Sequence, residues 1–272
     1  AERLGVTEGA SRHFAAHGSA AITCCFSKFE ETLERLMSMN IRNATPADAP
    51  TIAEMVDLAG EGIPRYLWRT RARPGESVVE AGLRHTSAIE GEFSFTHGRV
   101  HTHNGQVVGV CQAFDLDSVR DRDEINNCCG VIRGLVELEA MATGTWYVNA
   151  LATAKNVRRR GVARALLADS VRRAEALGLR QVSLIVSSDN RPAKAMYDSL
   201  GFRFEAQRVA ERFPEQGHGG EWILMLANTS ELVDVLPAQF APSLPASETP
   251  VLAAAQAKRR AAVGREALAV GT

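Results

Sequence analysis

Apolar residues along this chain switch repeatedly between the helical and the strand period. Ile52, Met55, Val56 and Ala59 recur at helical spacing on one face, and Thr45-Pro46-Ala47-Asp48 ahead of them supplies an N-cap, a proline at the first helical position and an acidic residue at N3. The short run Asn40–Asn43 before that cap reads as a strand. A second helical region, Pro64–Glu90, is interrupted at Pro74-Gly75. Arg99–His103 and Val107–Phe114 flank Asn104-Gly105, the strongest short-range signal for a type I′ hairpin turn. A helix over Val131–Ala140 precedes the strand Trp146–Thr153. Gly161 then opens a helix in which Val162, Leu166, Leu167, Val171 and Ala174 share a side, with Gly178 as its stop. Gln181–Val186 has the apolar character of a buried strand, and Arg191–Leu200 is a helix ended by Gly201. Phe202–Val209 and Glu221–Ala227 are strands on either side of the loop Pro214–Gly220. The alternation predicts an α/β fold, a mixed sheet with helices on both faces.

Outside these limits the pattern fades. Residues 1–38 carry small residues and scattered charge, with one helical-looking segment at Phe29–Met37; they read as an N-terminal extension that need not belong to the folded unit. From Thr229 the chain holds Pro237, Pro242, Pro245 and Pro250, then an Ala-rich run with Lys258, Arg259 and Arg260, so 229–272 reads as a flexible tail with a frayed helix at Leu252–Leu268. The folded domain is therefore expected at 39–228. Basic and acidic residues nearly cancel, 31 against 32, which gives no global field toward nucleic acid or a membrane surface. No stretch approaches the roughly 20 apolar residues of a membrane span, and no secretory pattern opens the chain, so a cytoplasmic setting is expected. The cysteines, with adjacent pairs at Cys24/Cys25 and Cys128/Cys129, lack CxxC spacing; neither a zinc site nor a disulfide framework follows, and no metal is expected.

The most informative segment is Val157-Arg158-Arg159-Arg160-Gly161-Val162-Ala163, where a strand has ended and an amphipathic helix begins. Amides at a helix start lack intrahelical partners and the helix dipole adds positive potential, so anions are favoured there. Gly161 and the small Ala163 allow a phosphate to approach the backbone, and three arginines offer charge-assisted donors. Arg158-x-x-Gly161-x-Ala163 resembles the Arg/Gln-x-x-Gly-x-Gly/Ala signature of the GNAT superfamily of N-acetyltransferases. Asn190-x-x-Ala193-x-x-x-Tyr197-x-x-x-Gly201-Phe202 resembles the ending of the same family, and Ile41-Arg42-x-Ala44-Thr45-x-x-Asp48 its opening. The resemblance spans about Met39 to Asn228. It implies a mostly antiparallel central sheet whose fourth and fifth strands, Trp146–Thr153 and Gln181–Val186, splay apart around the pantetheine arm of acetyl-CoA or another acyl-CoA. Leu151, Ala152 and Thr153 would face that arm, Asn190 would touch it or cap the following helix, and Arg158, Arg159, Arg160, Gly161, Val162 and Ala163 would hold the pyrophosphate.

Acyl transfer from a thioester to an amine needs a neutral nucleophile, a polarised carbonyl and a proton for the leaving thiolate. An amine of pKa near 10.4 is only about one part in a thousand neutral at pH 7.4, a cost of roughly 4 kcal/mol. The resemblance assigns the leaving-group acid to Tyr197 and carbonyl polarisation to an amide near Leu151 or Ala152. Many relatives carry a glutamate where this chain has Asn149, which can orient an amine or a water but cannot take a proton. The base then falls to a water chain, to Glu137 or Glu139, or to His101 or His103, the histidines reading as surface residues of their strand. Glu61–Arg73, with Tyr66 and Trp68, and the loop holding His218 would shape the site for a small-molecule or peptide amine; a homodimer is compatible with this reading. A non-catalytic acyl-CoA-binding sensor or interaction module is the alternative, and the absent glutamate is its support. P-loop and Rossmann nucleotide-binding domains are excluded by the lack of their glycine motifs after any strand.

Overall fold

The computed structural model describes residues 39–116, 130–213 and 220–236. Contacts divide the chain between Asn40 and Ile41, and the fold described below is that of the second unit. The strands are β1 (Met39–Asn43), β2 (Gly98–His103), β3 (Gln106–Asp115), β4 (Trp146–Thr153), β5 (Gln181–Ser187), β6 (Arg203–Val209) and β7 (Glu221–Asn228). The helices are α1 (Ala49–Ala59), α2 (Ile63–Thr70), α3 (Val78–Ser87), α4 (Gly130–Met141), α5 (Val162–Ala176), α6 (Arg191–Ser199) and α7 (Thr229–Val235). One seven-stranded sheet runs in the order β1-β2-β3-β4-β5-β7-β6. The β2/β3, β3/β4, β5/β7 and β6/β7 pairs are antiparallel and β4/β5 is parallel, so the sheet is mixed and mostly antiparallel.

Local chemistry sets the element ends. The Asp48 carboxylate accepts the Thr45 N–H and hydroxyl, each at 2.8 Å, and a two-pronged pair from Arg42 at 2.7 and 2.8 Å, which fixes the entry into α1. That guanidinium holds the Asp48 carboxyl down at about 2. Ser77 and Glu80 form a capping box that restarts the chain as α3 after the Pro74-Gly75 break.

Both faces of the sheet are covered. Trp146, Val148, Val182, Leu184 and Val186 pack with Leu166, Leu167 and Val171 of α5 and with α6 and α7. Tyr147, Ala150, Ala152 and Leu224 pack on the opposite face with Ile52 and Val56 of α1, Leu67 of α2 and Leu138 of α4. A tail was expected from residue 229, but Thr229–Val235 is a helix: Leu232 is fully buried and the Thr229 hydroxyl donates to Leu179 O at 2.8 Å. The apolar spacing of Leu232 and Leu236, both buried, closes the α5 face. The remaining tail, the extension 1–38, the cysteine pairs and His218 lie outside the described residues.

Two features seat α5 on the sheet. Arg99 of β2 and Asp169 of α5, 2% and 1% exposed, form a bidentate pair at 2.7 and 2.9 Å, and Arg99 also donates to Asn43 Oδ1 at 2.7 Å. Gly109 of β3 lies beneath the first turns of the helix. A Cβ there would sit 2.6 Å from Val162 Cγ1, 2.9 Å from Leu166 Cδ1 and 3.2 Å from Ala152 O, so only glycine lets the helix come this close.

Candidate active site

The site begins with a register change. Gln112 of β3 faces Ala150 and Ala113 faces Val148, which leaves Asn149 as an extra residue in β4. A bulge of this kind bends its strand. Pairing between β4 and β5 is confined to Trp146/Val182, Tyr147/Ser183 and Val148/Leu184, after which β4 continues along β3 to Thr153 while β5 follows β7 to Ser187. The strands therefore part at the bulge, and two facing edges of unpaired backbone open into a cleft of 1620 Å³. An extended chain carrying amides can hydrogen-bond to such edges as an added strand would.

At the wide end of this gap the chain runs through Arg158 and Arg159 into α5. Arg159 (φ 63°) and Gly161 (φ 87°) both take left-handed backbone, which turns successive amides outward. The N–H groups of Gly161, Val162 and Ala163 have no backbone acceptor among the described residues. A Cβ at Gly161 would meet open space, so the glycine is needed for its φ and not for room. This group of amides at a helix start, flanked by Arg158 and Arg159, fits a diphosphate in charge and in donor geometry.

The structure brings most of the sequence-derived site together. Asn149, Leu151, Ala152, Thr153, Arg158, Arg159, Gly161, Val162, Ala163, Asn190 and Tyr197 all line the one cleft, and Arg160 does not. Asn190 serves as both cap and wall: its Oδ1 accepts the Ala193 N–H at 3.3 Å, and its Nδ2 donates to Glu61 Oε1 at 3.2 Å. Tyr197 is 7% exposed, its ring set edge-on to Phe202 with centroids 5.6 Å apart. Burial, with a smaller contribution from nearby Cys111, pushes its phenol well above the ordinary value, so it stays protonated throughout the physiological range. Cys111 itself is buried and its thiol is pushed up to about 12, which removes it as a nucleophile.

The four side chains considered as bases separate. Glu139 lines the cleft and accepts the Tyr147 hydroxyl at 3.2 Å. Glu137 points away and is bound by Arg208. His101 and His103 do not line the cleft. His101 is no surface residue either: it is 2% exposed, two positions from Arg99 and so on the α5 side, where burial lowers its pKa. Tyr66 and Trp68 are likewise absent from the cleft wall. Tyr66 packs on Phe213, and Trp68 packs edge-on to Phe93 over Gly82, where a Cβ would lie 2.7 Å from the indole. From the same stretch it is Glu61, Ile63, Arg65, Leu67 and Arg71, with Gly62 and Pro64, that line the cleft.

Glu61, Glu92 and Asp189 also line it and were not singled out as site residues. Glu61 (φ 53°) and Gly62 (φ 91°) form a left-handed turn after α1, and Gly60-Glu61-Gly62 was its available signal. Among the described residues no group of three His, Cys, Asp or Glu side chains could hold a metal ion, and no helix is long and apolar enough to cross a membrane.

A mostly antiparallel sheet that parts between two parallel strands, with a helix start carrying unpaired amides at the mouth of the gap, defines an acetyltransferase-type α/β fold. The chain belongs to the acetyltransferase (GNAT) family, whose model matches residues 66–202. Solved structures with a similar fold include an acetyltransferase at 16% identity and TM-score 0.49, covering 70% of this chain and 99% of that one. An N-acetyltransferase from Staphylococcus aureus Mu50 is 18% identical with TM-score 0.46, covering 69% of this chain and all (100%) of that one. A GNAT superfamily phosphinothricin acetyltransferase from Sinorhizobium meliloti, in complex with acetyl-CoA, is 20% identical with TM-score 0.45 and coverages of 70% and 88%. Comparison with curated proteins gives no match.

Proposed function

We propose that the chain transfers an acetyl or other short acyl group from acyl-CoA to a primary amine, by direct attack within a ternary complex. The observation that carries this reading is the parted β4/β5 pair ending on the unpaired amides of Gly161, Val162 and Ala163. In this reading the pyrophosphate lies against Arg158, Arg159 and those amides, with Arg160 at the periphery. The pantetheine arm pairs with the free β4 edge over Leu151, Ala152 and Thr153, beside Asn190. The thioester then lies near the bulge, where a β4 amide polarises its carbonyl.

Tyr197 lies on the α5 side of the gap, where the leaving sulfur would emerge. A phenol raised above its usual value remains a donor at every working pH, yet full proton transfer to a thiolate of pKa about 8.5 is uphill from it. Its main contribution is hydrogen-bond stabilisation of the charge growing on sulfur. Asn149, on the opposite side, orients the amine.

Release of free thiol from acetyl-CoA, followed against a panel of primary amines, tests the reading. Turnover on at least one amine is expected, and Tyr197→Phe should lower kcat about 10²-fold or more with acetyl-CoA affinity nearly unchanged. Tight acetyl-CoA binding with no turnover on any amine would favour the second reading, a non-catalytic acyl-CoA sensor, for which Asn149 at the expected carboxylate position is the supporting observation.

A further inference from the structure

Asn149 shares its strand face with Tyr147, two residues back, and the bulge brings Ala150 and Ala152 onto that face as well. Tyr147, Ala150 and Ala152 all belong to the core on the α1/α4 side, and the extra residue Asn149 joins them there: its Nδ2 donates at 3.3 Å to the carbonyl of Glu92, next to Phe93 of the same core. That bond fixes the amide, because only the nitrogen can donate to a carbonyl. The Asn149 oxygen, which has no hydrogen-bond partner among the described residues, is the atom left to receive an N–H from the cleft. Two residues back, the Tyr147 ring is 4% exposed and set edge-on to Phe114, with centroids 5.8 Å apart at 77°. Its hydroxyl donates to Glu139 Oε1 at 3.2 Å, and Asn149, Tyr147 and Glu139 all line the cleft. Residues two apart on a strand lie about 7 Å from each other, a span that one water between an amine and a hydroxyl can bridge.

We infer that Glu139 is the proton acceptor of the reaction, working through the Tyr147 hydroxyl, on an amine that Asn149 holds. This rests on the acyltransferase reading above. The amine gives up one N–H proton to the bridging water as that water protonates Tyr147 Oη. Tyr147 passes its own proton to Glu139, so the ammonium becomes a neutral amine and the Glu139 carboxylate a carboxylic acid. Attack forms the C–N bond and breaks the C–S bond. The second N–H proton then leaves nitrogen and, through solvent, the CoA thiolate is released as free thiol. Glu139 returns its own proton to solvent, and no oxidant or further reactant is needed. The other charged side chains lining the cleft on this side are the Asp57/Arg65 pair, Glu61, Arg71 and Glu92. The arrangement supplies from α4, through a tyrosine, the carboxylate that the fourth strand lacks at Asn149.

The test measures kcat between pH 6 and 9.5 with acetyl-CoA and three probes: spermidine, 2-phenylethylamine and a peptide with a free α-amine. Wild-type kcat on the probe it uses should be nearly flat above neutral pH. Glu139→Gln and Tyr147→Phe should each lose about 10²-fold at pH 7 on an amine of pKa near 10, with the deficit shrinking as pH rises toward that pKa. Acetyl-CoA affinity should stay within about twofold, and thermal unfolding of Tyr147→Phe, which keeps the contact with Phe114, reports whether the fold is intact. Variants that match wild type, or that lose the same factor at every pH, overturn the relay and leave the acyltransferase standing. A wild-type protein that binds acetyl-CoA and acylates none of the probes overturns both.

Discussion

The buried Arg99–Asp169 pair holds α5, and with it the turn at Arg158–Gly161, against the sheet. Asp169→Ala removes both carboxylate contacts of a guanidinium that is 2% exposed and leaves its charge in the core. Breaking one side of a buried pair costs about 3–5 kcal/mol, because the remaining charge is desolvated without compensation. For a domain of this size each kcal/mol lowers Tm by about 2–4 °C, so a fall of about 6–20 °C is expected. Replacing both partners, Arg99→Met with Asp169→Leu, removes the stranded charge and should recover most of that loss. Asp169 lies eight residues beyond Gly161, about 12 Å along the helix, so acetyl-CoA affinity measured well below the transition should change less than about twofold. Denaturant and thermal unfolding of the three variants beside wild type provide the measurement. A single variant that costs under about 1 kcal/mol, or a double variant as unstable as the single, would refute the account in which Asp169 is the main counter-charge of Arg99, whose bond to Asn43 Oδ1 remains in the single variant.

The seat of the helix start is tested by Gly109→Ala, whose Cβ would lie 2.6 Å from Val162 and 2.9 Å from Leu166. The first turn of α5 must lift, so a loss of about 1–3 kcal/mol in stability is expected, with weaker acetyl-CoA binding by calorimetry; a variant as stable and as tight as wild type would contradict it. For Asp48, the folded carboxyl at about 2 lies below its unfolded value of about 3.9, so the stability it contributes is complete above about pH 4 and is lost as pH falls toward 2. Asp48→Asn should flatten that limb of the acid-unfolding curve, and an unchanged curve would show that the Arg42 pair is not its source.

What could be read from the sequence followed the range over which each feature is encoded. The turn proposed to hold the diphosphate is written in consecutive residues, Arg158 through Ala163, between a strand and a helix, and it stood out through its resemblance to a family signature. The strand and helix order was also legible, since each element carries its own period and its own caps. Histidine placement on β2 failed for a physical reason. Alternation along a strand separates buried from exposed positions only when one face meets water, and this sheet carries helices on both, so Arg99 and His101 are buried on one side while Val100 is buried on the other. Tyr66 and Trp68 misled in a similar way, because aromatic residues on a short helix serve packing and pocket walls equally well, and only Gly82 and Phe213 decide which.

The inferred proton acceptor was the least legible part, because it lies on a helix and not on the strand that the motif spans. Counting back from Arg158 along β4 places Asn149 where a carboxylate was sought, and a motif read in one dimension has nowhere else to look. In three dimensions Asn149 shares a strand face with Tyr147, whose hydroxyl reaches α4, so a carboxylate ten residues earlier in the chain becomes a neighbour of the same pocket wall. Contacts such as Asn190 to Glu61, 129 residues apart, belong to the same category: they exist because the gap brings two sheet faces and several helix ends to one cleft. Loss of the strand-borne acid is therefore a weak argument against catalysis in this chain. In the inferred relay the carboxylate comes from α4 beside the point where β4 parts from β5. A substitution that straightened β4 would extend its pairing with β5 and narrow the gap, so acetyl-CoA affinity measured by calorimetry should fall, and an unchanged affinity would separate the bulge from the cleft.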